Sequence, residues 1–291
     1  MIKLIAEIGC NHMGNLDTAL EMISVAARVC KVDVVKFQKR NNKELFTPEQ
    51  FNAPHPVPAN AFGESYGAHR EALELTIDQH RILKEYCESE KVTYATSVWD
   101  MSSAKEVAKL NPALIKIPSA TNLHFGLHDW LCANYGGEIH VSTGMTTPQE
   151  IERVVEFFES RGRAKDVVLY SCTSGYPIKF EEICLLEITS LIEKFGDRVK
   201  CIGFSGHHLG IAADIAAMTL GAQWVERHFT LDRTWKGTDH AASLEPEGLR
   251  RLARDLHHVK AALAYKKSAL LDVEQVQRDK LKYAETQAAT A

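Results

Sequence analysis

The chain reads as an α/β protein, a single (β/α)8 TIM barrel, and three observations predict this. Eight short segments are rich in β-branched residues, and most are near-continuous apolar runs. Such runs suit strands buried on both faces of a parallel sheet. Stretches with apolar residues at helical spacing lie between them, so strand and helix alternate about every 30 residues. Polar side chains follow the apolar runs at once, where a barrel of this kind gathers its chemistry.

In chain order, the strand segments begin near Lys3 (KLIAEIG), Val32 (VDVVKFQ), Val92 (VTYATS), Ala113 (ALIKIPS), Glu138 (EIHVST), Val167 (VVLYSC), Val199 (VKCIGFS) and Gln223 (QWVERHF). Leu16 to Val29 has helical spacing. Thr76-x-x-Gln79 and Thr147-x-x-Glu150 read as capping boxes that start helices, the second with Pro148 in its first turn. Pro246 to Leu263 is a long amphipathic stretch after the last strand. A doubly wound open sheet is the alternative, but no G-x-G-x-x-G follows the first strand. Residues 40 to 75 hold Pro48, Pro54, Pro56 and Pro58 with few periodic signals, and are expected to form a long functional loop. Residues 1–268 are expected to be the barrel, and 269–291 a C-terminal helical tail, partly disordered.

Of 291 residues, 45% are hydrophobic and 25% charged, which is ordinary for a globular protein with a sizeable core. The balance of 34 basic and 38 acidic residues gives −4. That offers no basic field for nucleic acid or a membrane surface. No apolar run approaches the roughly 18 residues that span a bilayer. The seven cysteines include no C-x-x-C pair. Reduced thiols in a cytoplasmic protein are the simplest expectation.

The strand ends carry Glu7; Lys36 and Gln38; Thr96 and Ser97; Lys116 and Ser119; Ser142 and Thr143; Thr173, Ser174 and Tyr176; Ser205 and His207; Glu226 and His228. Small hydroxyls with two lysines suit a phosphate, the lysines supplying charge and the hydroxyls hydrogen bonds. Lys36 and Lys116 sit inside apolar runs, where a lysine is expensive unless it faces an anion. A Schiff-base lysine is the other reading of the same pair. His207 and His228 end adjacent strands, and two imidazoles in one barrel mouth can bind a divalent metal with open positions left. Glu226 shares the strand face of His228, and Asp239 in KGTDH offers a carboxylate.

At these residues the chain resembles the sialic acid synthase (N-acetylneuraminate synthase) family. The matching stretches are AEIGCNHMGN (6–15), VVKFQ (34–38), KIPSA (116–120), STGM (142–145), CTSGYP (172–177), GFSGHHLGI (203–211) and ERHFTLDRTWKGTDHAASLEP (226–246). The resemblance implies condensation of phosphoenolpyruvate with an N-acetylmannosamine-like aldose or its 6-phosphate, releasing phosphate. It implies that Lys36, Thr96, Lys116, Ser119, Ser142 and Ser205 hold phosphoenolpyruvate, with Gln38 and Ser174 also in the substrate-binding set. His207 and His228 would bind Mn2+ or Mg2+, and Glu7, Tyr176 and Asp239 would form the catalytic set near the acceptor, with Glu7 or Asp239 managing the protons. A homo-oligomer is implied. Three departures stand out: Gly206 where the family has aspartate, Thr121 where it often has glutamate, and no antifreeze-like domain after the barrel. In place of that domain, the 40–75 loop is expected to cover the acceptor side, with Arg70 meeting a sugar hydroxyl or phosphate. A Schiff-base pyruvate aldolase or lyase and a non-catalytic sugar-binding barrel remain alternatives.

Overall fold

A computed structural model of the chain describes residues 2–283. All eight predicted strands form: β1 (Lys3–Gly9), β2 (Val34–Lys39), β3 (Thr93–Val98), β4 (Leu114–Ile117), β5 (Glu138–Ser142), β6 (Val167–Cys172), β7 (Cys201–Gly206) and β8 (Trp224–His228). Each pairs in parallel with the next, and β8 closes on β1. The closed barrel excludes the open-sheet alternative.

Strand alternation sorts the side chains. The lower interior is filled by Ile5, Val34, Ala95, Leu114, Val168, Tyr170, Cys201 and Trp224. Outward-facing residues such as Ile8, Phe37, Ile115, Val141 and Phe204 pack under the helices in two larger clusters. Both faces are therefore buried, which accounts for the continuous apolar runs. At the bottom, His140 Nδ1 lies 2.8 Å from the Tyr170 hydroxyl.

The helix starts follow their sequence signals. Asn15 caps Leu16–Val25 by accepting from Thr18 N at 2.9 Å. Both capping boxes are formed, Thr76 with Gln79 ahead of Ile77–Ser89 and Thr147 with Glu150 ahead of Pro148–Ser160. Each such cap contributes about 1 kcal/mol. The helix after the last strand spans Pro246–Ala262. No helix of the described residues is long and apolar enough to cross a membrane. All seven cysteines are free thiols.

The 40–75 connection differs from expectation. It is not an irregular loop but a set of short helices, Asn42–Leu45, Pro48–Asn52 and Tyr66–Ala72, with a 3-10 turn at Pro58–Asn60. Segments of three to seven residues are too short to show helical periodicity. Caps and packing hold them instead: Thr47 and Ser65 accept from Gln50 N and Ala68 N. The rings of His55, Tyr66 and His69 lie 4.3–6.0 Å apart. Gly67 lets the Phe51 ring pack where a Cβ would sit, 2.3 Å from its atoms. The insertion abuts the loop after β1, where a Cβ on Gly14 would lie 2.1 Å from Ala72 O. The tail contains the expected helix, Asp272–Leu281. Its residues 284–291, part of the segment expected to be disordered, lie outside the described residues.

Candidate active site

At the C-terminal ends of the strands lies a cavity of about 300 Å³. Inward positions just above the apolar layer supply its floor. Glu7, Lys36, Gln38, Lys116, Ser119, Ser142, Ser174, Tyr176, Ser205, His207 and His228 all line it, as the strand-end reading expects. Register explains the convergence, because Glu7 sits beside Lys36 on one flank and His228 on the other, and Ser205 sits beside Glu226.

The floor is a buried charge network. Lys36 Nζ lies 2.6 Å from Glu7 Oε2 and 3.6 Å from Glu226 Oε1, and donates to Ser97 Oγ at 2.8 Å. Lys116 Nζ lies 2.6 Å from Glu226 Oε1 and 4.3 Å above the Tyr170 ring. Two ammonium and two carboxylate groups thus balance where isolated charges would be very costly. Burial works against the Lys36 ammonium, but Glu226 and Glu7 outweigh it and raise its pKa. For Lys116 burial wins, and its pKa is lowered. Burial also opposes the Glu226 charge, yet Lys116 and Lys36 hold it below the usual carboxylate range.

The β4–β6 side of the cavity presents hydroxyls. Gly144 N donates to Ser119 Oγ at 3.1 Å. A Cβ on Gly144 would lie 2.4 Å from Ser174 Oγ and 2.7 Å from Ser119 Oγ, so glycine is what allows these groups to approach.

His207 and His228 face each other with ring centroids 5.5 Å apart, and the Tyr176 ring lies 4.3 Å from His207. Arg227, buried on the outer face of β8, donates to His208 O at 2.5 Å and Gly210 O at 2.7 Å. It thereby fixes the loop that carries His207. His207 Nδ1 sits 2.9 Å from Thr173 O. Donation there leaves Nε2 with a free lone pair. Burial, reinforced by His228, pushes the His207 pKa down to about 3, so the ring is neutral. His228 Nδ1 is buried with no hydrogen-bond partner. Imidazoles that keep a free ring nitrogen fit a divalent cation. Among the described residues no group of three His, Cys, Asp or Glu side chains gathers around such a point. A cation held here would have two imidazoles as protein donors, with its remaining positions open to oxygen ligands.

Three predicted residues lie off the cavity wall. Thr96 corrects the sequence reading: it is fully buried and, by alternation, on the outward face of β3 with Tyr94 and Val98. Its neighbour Ser97 faces inward and lines the cavity instead. Asp239 stands behind His228, its Oδ2 3.9 Å from Nδ1. Burial opposes its charge, but His228 and Arg70 hold the carboxyl below its usual range. Arg70 is buried in the helix Tyr66–Ala72, with Nη2 3.6 Å from Cys10 Sγ. The insertion therefore does reach the mouth. Of the departures from the family pattern, a Cβ on Gly206 would point 2.8 Å from the His208 ring, so that ring fills the space a longer side chain would need. Thr121 does not line the cavity.

The cavity also contains Trp99 and Cys172, which sequence reasoning did not place there, and Glu226, which it placed on the strand face of His228 without giving it a role. Ser97 was readable from parity, because the bulky residues of β3 alternate on the other face.

The NeuB family matches residues 22–268. Human N-acetylneuraminate-9-phosphate synthase is 35% identical over 278 residues, covering 96% of this chain and 76% of that protein. N,N'-diacetyllegionaminic acid synthase of Campylobacter jejuni is 33% identical, covering 89% of this chain and 77% of that one. The crystal structure of N-acetylneuraminic acid (sialic acid) synthetase from Leptospira borgpetersenii, in complex with citrate, superposes with a TM-score of 0.80 at 27% identity, over 97% of this chain and 93% of that one. An eight-stranded barrel with these residues at its mouth, matched along most of its length, belongs to the NeuB family.

Proposed function

We propose that this protein condenses phosphoenolpyruvate with an N-acetylmannosamine-like aldose or its 6-phosphate, giving a 2-keto-3-deoxy sugar acid and inorganic phosphate. The observation that carries this reading is the gathering of Lys36, Lys116 and several hydroxyls in one cavity with two imidazoles, in a chain of the NeuB family. Similarity to synthases of N-acetylneuraminate 9-phosphate and diacetyllegionaminic acid supports it over an aldolase or a binding barrel. The ion pairing of both lysines supports it too, because an ammonium held by a carboxylate is a poor Schiff-base nucleophile.

Each group has a task in this chemistry. Lys36, Lys116 and the hydroxyls of Ser97, Ser119, Ser142, Ser174 and Ser205 would bind the phosphate and carboxylate of phosphoenolpyruvate. This places its C3 against the aldehyde carbon of the acceptor, where the new carbon–carbon bond forms. Water adds to C2, the carbon–oxygen bond to phosphate breaks, and the 2-keto group remains. Glu7, beside both Lys36 and His228, would take the proton from the incoming water. Asp239 would hold His228 in orientation, and Tyr176 would wall the acceptor against His207. Mn2+ or Mg2+ on His207 and His228 would supply Lewis-acid polarisation of the aldehyde oxygen. Assembly as a homo-oligomer belongs to the same reading.

The test is phosphate release from phosphoenolpyruvate across a panel of aldoses, with mass detection of the keto acid. Phosphate release that depends on an N-acetylmannosamine-type acceptor is expected. A lysine adduct trapped by borohydride with pyruvate, and no acceptor-dependent phosphate, would replace this reading with the aldolase.

A further inference from the structure

Beyond the cavity floor, the β1–β2 rim carries two cations with no carboxylate in direct contact, although Glu74 and Asp239 lie near enough to act on both. Arg70 is buried and Arg40 is half-buried. Among the described residues, neither guanidinium has a carboxylate within ion-pair distance. The nearby Glu74 carboxylate instead accepts from the Arg40 backbone N at 3.0 Å. Each guanidinium also keeps a buried Nε with no partner. Burial, and after it the charge of Arg70, push the Arg40 pKa down to about 10. Like charges brought together in a partly dry place are destabilising unless an anion joins them.

Their connections show where that anion would sit. Arg40 donates to Gln38 Oε1 through Nη2 and stacks on Trp99, 3.5 Å from its ring centre. Cys10 Sγ lies 3.9 Å from the same Gln38 oxygen and 3.6 Å from Arg70 Nη2. The other end of the Gln38 amide donates to Glu7 Oε1 at 2.9 Å. Gln38 therefore runs from the reacting end at Glu7 to the two guanidiniums at the rim. The exposed Lys236 adds a third cation, 4.9 Å over the ring of Phe62 in the insertion. The hydroxyl-lined side, across the cavity, already offers groups for one phosphate. The rim offers groups for a second.

We propose that Arg40 and Arg70, with Lys236 at their edge, bind a phosphate on the far end of the acceptor, so that the acceptor is a phosphorylated aldose. This rests on the synthase reading above and narrows it to a sugar phosphate. Guanidiniums suit the task because their planar forks match phosphate oxygens.

The experiment compares N-acetylmannosamine with its 6-phosphate in the phosphate-release assay, and measures binding of the sugar phosphate and of inorganic phosphate by calorimetry. The wild type should favour the 6-phosphate by roughly tenfold or more in kcat/KM, the size expected of charge-assisted bonds to phosphate. Arg70→Ala should erase that preference by raising the KM for the 6-phosphate alone, while the phosphoenolpyruvate KM stays within about twofold. Arg70→Lys should recover part of the preference. Lys236→Ala, at an exposed position that threatens no fold, should weaken the 6-phosphate a fewfold. Equal use of both sugars by the wild type, or equal loss for both in Arg70→Ala, would overturn the proposal while leaving the synthase reading intact. Inorganic phosphate binding as tightly as the sugar phosphate would also overturn it, by reducing the rim to a general anion site. If no aldose turns over, the synthase reading fails. The rim proposal then stands or falls on whether Arg70→Ala abolishes calorimetric binding of the sugar phosphate.

Discussion

The two sides of the barrel mouth are built by different means. On the β4–β6 side, Lys116, Ser119, Ser142 and Ser174 come from strand ends or the residues just beyond them, and Gly144 lets the hydroxyls meet. Every one is backed by the closed sheet. On the β1–β2 side, Gln38 and Arg40 leave the end of a strand, but Arg70 and its neighbours come from an insertion with its own small aromatic core. The difference teaches how such a barrel divides labour. A closed sheet holds the reacting groups rigidly, while an added segment can shape the rest of the ligand without disturbing them. In the proposed reaction, the first side serves phosphoenolpyruvate together with Lys36 on the shared floor, and the rim of the second serves the acceptor.

The largest effect should come from the imidazole pair, which stands where the two sides meet. Removing the metal with a chelator is expected to abolish turnover with every acceptor, and Mn2+ or Mg2+ to restore it. His207→Ala and His228→Ala should each remove most activity with the fold intact by circular dichroism. Retained turnover in excess chelator would remove the metal from the reading and leave the imidazoles as plain hydrogen-bonding groups.

Next in size is a split between the sides. A lysine–phosphate contact in a closed site is worth about 1.5–3 kcal/mol. Lys116→Met should therefore raise the phosphoenolpyruvate KM by at least about tenfold, with little change in the acceptor KM. Gly144→Ala should act on the same substrate, since its Cβ would push on Ser119 and Ser174. If either variant weakens both substrates equally, the mouth works as one unit and the comparison fails.

The two sides also differed in how much of them the sequence revealed. Strand ends were legible because an apolar run followed by a polar residue marks both the strand and its open end, as in LIKIPS and VVKFQ. The paired lysines and histidines could be placed in one cavity from that pattern alone. Arg40 was passed over because it lies one residue beyond β2, where no periodicity says which way a side chain turns. The insertion's helices were hidden because each is shorter than two full turns of helix, the longest being Tyr66–Ala72. Their order comes from caps and ring packing between residues distant in the chain, which spacing does not record.

The smallest expected effect addresses a single step of alternation. Thr96 and Ser97 are adjacent hydroxyls at the end of β3, and composition does not distinguish them. Parity does: Val92, Tyr94, Thr96 and Val98 share the face that packs under the helices, leaving Ala95 and Ser97 for the interior. Ser97 Oγ accepts from Lys36 at 2.8 Å, whereas Thr96 Oγ1 is buried with no hydrogen-bond partner. Ser97→Ala removes one bond from an ammonium that keeps Glu7 and Glu226, a loss of about 1 kcal/mol or roughly fivefold in kcat/KM for phosphoenolpyruvate. Thr96→Val replaces an unpaired hydroxyl by a methyl group beneath the helices and should leave kcat/KM within about twofold. Steady-state kinetics on the two variants decide the matter. A larger loss from Thr96→Val than from Ser97→Ala would mean that β3 presents its other face to the substrate, and that the charge network around Lys36 is not the floor of the working site.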